Sequence, residues 1–313
     1  MAERRQLFTP DGTAASSFSF GAMQFGGRAS EEDSQAMYAD CRAAGINFFD
    51  TAYVYTEGRS ETLLGQFAAA ERDQVIIASK VSWIDGNGSN SIENSFDESR
   101  SRLGMDMIDL LYLHRFDPDT PLEESFDALA SLQADGKIRY IGISNFAAWQ
   151  VVKAVGIAAQ FGVTVDVLQP MYNLVKRQVE VEILPACADQ DVLVAPYSPL
   201  GGGLLTGKYA SGGEGRLLTN KMYTARYNVD WMHEAAAALP AIAQRHGTTA
   251  ATLAVAWVAR NPLVAHPIIS ARTAEQLQPS LAAIDFDMTD ELYDEMTALT
   301  VTPPPATDRL EER

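Results

Sequence analysis

The stretch GINFFDTAYVY, residues 45–55, decides the fold and locates the chemistry. A short β-type run at Ile46, Asn47, Phe48 and Phe49 ends in a carboxylate, Asp50, and a phenol, Tyr55, follows on a loop. The next two apolar runs end in the same manner. Lys80 closes the run 75–80, and His114 closes the run 108–114. An acid, a phenol, an amine and an imidazole therefore stand at or just past the ends of three successive strand-like segments. Parallel neighbouring strands lie about 4.8 Å apart. On such strands the four side chains converge on one small volume, which is a way to build a proton-transfer site.

The connections make the strands parallel. Between the first two runs, 58–70 places Leu63, Leu64 and Phe67 at helical spacing; between the second and third, 91–104 does so with Ile92, Phe96 and Leu103. Strand–helix–strand units with connections this long cross over into a parallel pair. The alternation continues along the chain. Strands are expected at 18–22, 46–50, 75–80, 108–114, 138–144, 165–169, 192–197 and 266–270. Helical patterns fall at 31–44, 58–70, 91–104, 122–134, 147–161, 179–190, 231–260 (broken near Gly247) and 274–283. Gly45, Gly104, Gly136 and Gly162 sit where a left-handed cap ends a helix.

Eight β/α units over roughly 280 residues match an α/β fold of the (β/α)8 TIM-barrel type, spanning about 17–285. A turn signal at Asp11-Gly12, flanked by Leu7-Phe8 and Ala14-Ala15, predicts an N-terminal β-hairpin closing the barrel bottom. The rival doubly wound sheet asks for Gly-x-Gly-x-x-Gly after the first strand; Gly21, Gly26 and Gly27 have the wrong spacing. Barrel enzymes carry their sites at the C-terminal ends of the strands, where the four ionisable residues fall.

One domain over 1–313 is expected, with an extended tail at 301–313 that contains Pro303, Pro304 and Pro305. The longest irregular stretch is 198–228, glycine-rich at both ends, and a loop of that length is usually functional. Lys and Arg number 24 against 41 Asp and Glu, a net charge of −17 that argues against a nucleic-acid partner. Cys41 and Cys187 fall on expected helices and read as free buried thiols, without disulfide or metal spacing. The opening MAERRQLFTPDG lacks the apolar core of a secretory signal. The longest apolar run, 253–259, is too short to span a bilayer. No membrane partner and a cytoplasmic setting are the expectation. The four histidines are scattered, which argues against a metal-dependent hydrolase. Oligomeric state is left open.

The order Asp50, Tyr55, Lys80, His114 resembles the aldo-keto reductases. So do the strings around it: GINFFDTAYVY, EGRSETLLG at 57–65, IIASK at 76–80, IDLLYLH at 108–114, GKIRYIGISNF at 136–146 and YSPLGGGLLTGKY at 197–209. The resemblance runs from about 7 to about 284. YNLVKRQVEVEILPAC, 172–187, looks like the bacterial branch related to potassium-channel β subunits. The resemblance implies hydride transfer between a nicotinamide and a carbonyl or alcohol carbon, with NADP(H) as cofactor and a small carbonyl compound as substrate. Tyr55 would be the general acid. Lys80 beside it would lower the phenol's pKa, Asp50 would hold Lys80, and His114 would orient the carbonyl.

The same resemblance implies the cofactor positions. Ala22, Met23 and Asp50 would belong to the cofactor site, with Met23 also on the wall of the substrate pocket. Ser144, Asn145 and Gln169 would hold its carboxamide, and Tyr197 would stack on its ring. The loop 198–208 would fold over the pyrophosphate, with Ser198, Pro199, Leu200, Gly201, Gly202, Gly203 and Lys208 along it. Ile269, Ser270, Arg272, Gln276 and Ser280 would surround the adenosine, with Arg272 meeting the 2′-phosphate. Ser270 and the pair Pro279-Ser280 depart from the commoner pattern, and Pro279 predicts a shortened or bent helix. Tyr53, Trp83, Arg115 and the segment 222–227 would wall the substrate pocket. With Arg115 as the one cation expected near the substrate, neutral aldehydes are the expected class. Two other readings stay open: a sugar dehydrogenase running oxidatively, and an NADPH-sensing subunit with little turnover.

Overall fold

Every strand pairing in the sheet is parallel, and the order is β7-β6-β5-β4-β3-β2-β1-β8. The strands are β1 Ser19–Gly21, β2 Phe48–Asp50, β3 Ile76–Val81, β4 Ile108–Leu113, β5 Ile138–Ser144, β6 Val167–Gln169, β7 Leu193–Val194 and β8 Ile268–Ile269. The computed structural model describes residues 5–84, 86–211, 213, 215–307, 309 and 311. Tyr197, just past β7, bridges Ile268 of β8 in parallel, so the two ends of the sheet meet and the barrel closes. The backbone N–H of Ile268 donates to the Pro196 carbonyl at 2.9 Å across the same seam.

Helices fill the crossovers. They are α1 Glu31–Ala43, α2 Arg59–Ala68, α3 Ser89–Leu103, α4 Leu122–Ala134, α5 Ala148–Ala158 and α6 Ile183–Asp189. After β7 come α7 Arg216–Thr219, α8 Lys221–Tyr227, α9 Asp230–Arg245 and α10 Ala250–Arg260. After β8 come α11 Ala274–Leu281 and α12 Asp290–Thr297. The expected break near Gly247 separates α9 from α10, where Gly247 takes a φ of 63°. The Thr249 side chain caps α10 by accepting from Thr252 N–H.

Two expectations need correction. Strands β7 and β8 are shorter than 192–197 and 266–270, because Pro196 and Pro267 offer no N–H to a ladder. The stretch 198–228 is not irregular throughout: it contains two 3₁₀ segments, α7 and α8. Asn220 starts α8 by accepting from Met222 N–H and Tyr223 N–H. Residues 290–297, which no expected element covered, form α12, capped by Thr289. There Tyr293 stacks on Trp257 with centroids 5.4 Å apart. Helix α11 contains Pro279 and, as its sequence leads one to expect, is shortened, ending at Leu281.

Alternation along the strands places the chemistry. Successive side chains on a strand face opposite sides of the sheet. Phe48, Ile76, Ala78, Leu110, Tyr112, Val167 and Leu193 form the cluster inside the barrel. Phe49, Ile77, Val81, Leu111 and Leu113 belong to the outer cluster with the helices. Asp50 has the parity of Phe48, Lys80 that of Ile76 and Ala78, and His114 that of Leu110 and Tyr112. The pattern that fills the barrel therefore turns three ionisable side chains inward at its C-terminal end.

At the opposite end, Phe8 and Ala14 form an antiparallel bridge around Gly12. Leu7 enters the interior cluster, and Ser16 N–H donates to Asn47 Oδ1 at 2.7 Å.

Candidate active site

A cavity of about 910 Å³ opens at the C-terminal ends of the strands. Its wall brings together Met23, Asp50, Tyr55, Trp83, His114 and Arg115 from the β1 to β4 side. Ser144, Asn145, Gln169, Tyr197, Ser198, Pro199, Leu200, Gly203 and Lys208 come from the β5 to β7 side, and Ile269, Ser270, Arg272, Gln276 and Ser280 from β8 and α11.

Four expected site residues stand off the wall. The Lys80 side chain is fully buried, below Asp50. Ala22 is buried and held by its backbone, its N–H donating to the Asp50 carbonyl and its carbonyl accepting from Ser60 Oγ. Gly201 backs onto Tyr227 and Leu205, while Gly202 takes the place on the wall. Tyr53 turns away to lie under the Arg102 guanidinium, 5.0 Å from its ring centroid. Gln24, Val54 and Ala271 line the cavity unforeseen; Gly202 and Thr206 of the expected 198–208 loop line it as well, as do Met222, Tyr223 and Arg226 of the expected 222–227 segment. Arg115 is therefore not the lone cation near the substrate end, and the ground for restricting substrates to neutral aldehydes is gone.

Asp50 and Lys80 form an ion pair inside the barrel. Lys80 Nζ also donates to the Thr51 carbonyl at 2.7 Å, and Gln169 Nε2 donates to Asp50 Oδ2 at 2.9 Å. Burial disfavours both charges, raising the Asp50 carboxyl and lowering the Lys80 ammonium, and their attraction opposes it. Lys80 Nζ lies 4.9 Å from the Tyr55 ring centroid. The expectation that Lys80 lowers the Tyr55 pKa is not met here. Burial first, and the Asp50 charge second, push the phenol well above its ordinary 10. Lys80 lies beside the ring, but burial and the Asp50 charge outweigh its attraction for a phenolate. A phenol so placed keeps its proton across the physiological range.

The Tyr55 ring meets the His114 ring edge-on at 5.8 Å, and Trp83 covers His114 at 4.6 Å. Burial, then the Lys80 and Arg115 charges, pull His114 down to about 3. Its Nδ1 is buried without a hydrogen-bond partner. The ring is a neutral donor at neutral pH. A pH prediction follows from this depression. The folded state withholds a proton that the unfolded chain takes up below 6.5, so His114 adds stability above 6.5 that is lost as pH falls toward 3. Wild type should lose stability more steeply than His114→Gln between pH 6.5 and 4, by up to about 1.4 kcal/mol per pH unit. Parallel urea-denaturation curves for the two proteins would show that His114 is not shielded.

Around the far side, Ser144 Oγ donates to the Gln169 carbonyl at 2.9 Å, Asn145 Nδ2 to the His114 carbonyl at 3.0 Å, and Tyr197 Oη to Asn145 Oδ1 at 2.8 Å. Asn145 and Ser198 take left-handed φ values of 60° and 61°. After Tyr55, Thr56 and Glu57 do the same, at 48° and 55°, followed by Gly58 at 86°. Each such non-glycine residue costs on the order of 1–3 kcal/mol and persists where tertiary contacts impose it. Among the described residues no group of three or more His, Cys, Asp or Glu gathers to hold a metal. No described helix is long and apolar enough to cross a membrane. Cys41 and Cys187 are free and buried.

A closed parallel barrel with an Asp, a buried Lys, a Tyr and a His at its C-terminal mouth defines a class. The chain belongs to the Aldo/keto reductase family, whose sequence model matches residues 17–300. It is an oxidoreductase of that family. Among its relatives is a protein of Arabidopsis thaliana named a probable voltage-gated potassium channel subunit beta. It is 35% identical over 292 residues, covering 88% of this chain and 89% of that protein. The protein named Tas of Escherichia coli (strain K12) is 31% identical, covering 91% of this chain and 94% of its own. The aflatoxin B1 aldehyde reductase member 2 of Rattus norvegicus is 32% identical, covering 85% and 79%.

Proposed function

We propose that this protein reduces aldehyde or ketone carbonyls to alcohols with NADP(H), using Tyr55 as general acid. The observation that carries the reading is the layout of one cavity. Tyr55 and His114 stand at one end, above the Asp50–Lys80 pair; Lys208, Arg272, Gln276 and Ser280 stand along the rest. The residues fit a phosphorylated dinucleotide. The volume is of the size that holds a cofactor. Ser280 Oγ is buried with no partner on that wall, and Lys208 and Arg272 supply positive charge in a chain of net charge −17.

Bound NADP(H) supplies the hydride. The chain's own part is proton and position. The neutral His114 ring offers an N–H to a carbonyl oxygen, which fixes the carbonyl beside Tyr55. Tyr55 gives its proton as negative charge grows on that oxygen. The phenolate left behind gains from Lys80, 4.9 Å from the ring, whose position Asp50 and the Thr51 carbonyl hold.

Cofactor choice is tested at Arg272. Arg272→Ala should weaken NADPH binding by about 1.5–3 kcal/mol, the scale of a charge-assisted hydrogen bond, and leave NADH nearly unchanged. Equal weakening of both would remove Arg272 from 2′-phosphate recognition.

The activity itself is tested by NADPH oxidation with a panel of neutral, aromatic and carboxylated aldehydes, and by NADP reduction with sugars. Turnover of aldehydes is expected, a direction in keeping with the relative named an aldehyde reductase. NADPH binding with no turnover on any carbonyl would sink the reading in favour of a sensing subunit.

A further inference from the structure

The loop between β2 and α2 carries Tyr55, and one side chain grips it from outside the barrel. Arg102 lies in the last turn of α3. Its Nη1 donates to the Tyr53 carbonyl at 2.8 Å, and its guanidinium lies 5.0 Å from the Tyr53 ring centroid. Gly58 packs against the same guanidinium: a Cβ there would come within 2.5 Å of Arg102 Nε. The contacts fall two residues before Tyr55 and three after it, so both sides of the phenol's stem meet one cation.

The grip is backed by a buried carboxylate. Glu61 of α2 has no exposed side-chain surface. Its Oε2 accepts from Arg102 Nη1 at 3.3 Å, and its Oε1 accepts from the Ser79 hydroxyl at 2.6 Å. Ser79 adjoins Lys80 on β3 and faces the opposite side of the sheet. The chain of contacts thus runs from the strand that holds Lys80, through Glu61 and Arg102, to the loop that holds Tyr55. A guanidinium suits the task because its rigid plane lies beside the Tyr53 ring while Nη1 serves the Tyr53 carbonyl and Glu61 and Nη2 serves Glu98, a fixed geometry that a rotating ammonium does not hold. The loop needs an outside hold. Thr56 and Glu57 stand in the left-handed region, which a non-glycine residue keeps only under tertiary restraint; the Thr56 hydroxyl, donating to the Phe25 carbonyl, is one restraint and Arg102 adds to it.

We propose that Arg102 is a positioning residue for the proton donor, fixing the Tyr53 carbonyl and ring so that the Tyr55 phenol stays at the His114 end of the cavity. The inference rests on Tyr55 being the acid. The experiment uses the full chain and compares Arg102→Ala, Arg102→Lys, Glu98→Ala and Tyr55→Phe for kcat, KM, NADPH Kd and thermal midpoint. Glu98 pairs with the outer edge of the same guanidinium but touches no part of the loop, so Glu98→Ala should leave kcat unchanged.

Arg102→Ala should lower kcat by roughly 10- to 100-fold, the cost of misplacing a reacting group by about an ångström. KM and NADPH Kd should stay within about 2-fold, and guanidinium chloride below its denaturing range should restore part of kcat. Should Arg102→Ala not fold, Arg102→Lys keeps a cation beside Glu61 and should still lose roughly 3- to 30-fold in kcat on the same argument. A lowered thermal midpoint with wild-type kcat in either variant overturns the proposal and leaves Arg102 a structural ion pair. Unimpaired turnover in Tyr55→Phe brings down the assignment of the acid instead, and is told apart by that variant alone.

Discussion

Tyr55→Phe is expected to lower kcat by roughly 10²-fold or more, the usual scale for loss of a general acid, while NADPH binding is kept. The substitution removes one hydroxyl and leaves the ring contacts in place: the edge-on meeting with His114 at 5.8 Å and the position beneath which Lys80 Nζ lies at 4.9 Å. Folding and cavity shape should therefore be close to wild type, and the loss should fall on the chemical step. The check is single-turnover reduction with bound NADPH, alongside a fluorescence titration for Kd. Near wild-type turnover would take Tyr55 out of the mechanism. A loss of NADPH affinity equal to the loss in kcat would recast the residue as part of the cofactor wall.

Breaking the Asp50–Lys80 pair should have the largest effect on stability. Lys80 has no exposed side-chain surface and Asp50 almost none. Asp50→Ala leaves an ammonium buried with the Thr51 carbonyl as its remaining acceptor among these contacts. Removing one partner of a buried pair typically costs about 3–5 kcal/mol, because the other charge stays uncompensated. The double variant Asp50→Asn with Lys80→Met removes both charges and should recover most of that stability. It should recover none of the activity, since nothing then steadies the Tyr55 phenolate. Urea midpoints of the three proteins check the first statement, and turnover checks the second. A double variant no more stable than Asp50→Ala would show that the pair is not what the barrel interior depends on.

The barrel and its active end were legible because two periods overlap in the chain. The 3.6-residue pattern of Leu63, Leu64 and Phe67, between two short apolar runs, forces a parallel crossover. The two-residue alternation then puts Asp50, Lys80 and His114 on the inner face. Loops carry no such period, so nothing in the sequence turns Tyr53 away from the cavity or brings Gln24 to its wall. Strand ends were overrun at Pro196 and Pro267, where apolar content persists but the ladder cannot. Helix α12 has a readable start in Thr289, Asp290 and Glu291, with Leu292 and Met296 one turn apart, but its 8 residues give that period too few repeats to stand out. The Tyr55 electrostatics were misjudged for a different reason. Sequence neighbours suggest which charges meet, but how much water is excluded depends on packing by Trp83, Tyr223 and the strands around them.

Inward parity ties the core and the chemistry to a single reading frame. Deleting one residue from 46–48 would rotate Asp50 toward the helices and bring Phe49 into the barrel, silencing the site without altering any residue outside the deletion. The segments just beyond the strands obey no such frame, so insertions after Trp83 or Arg115 leave the alternation intact. Variation in this molecule is therefore partitioned by geometry. Length can drift in the loops that face the substrate, while in the strands even a conservative change of length is a change of function.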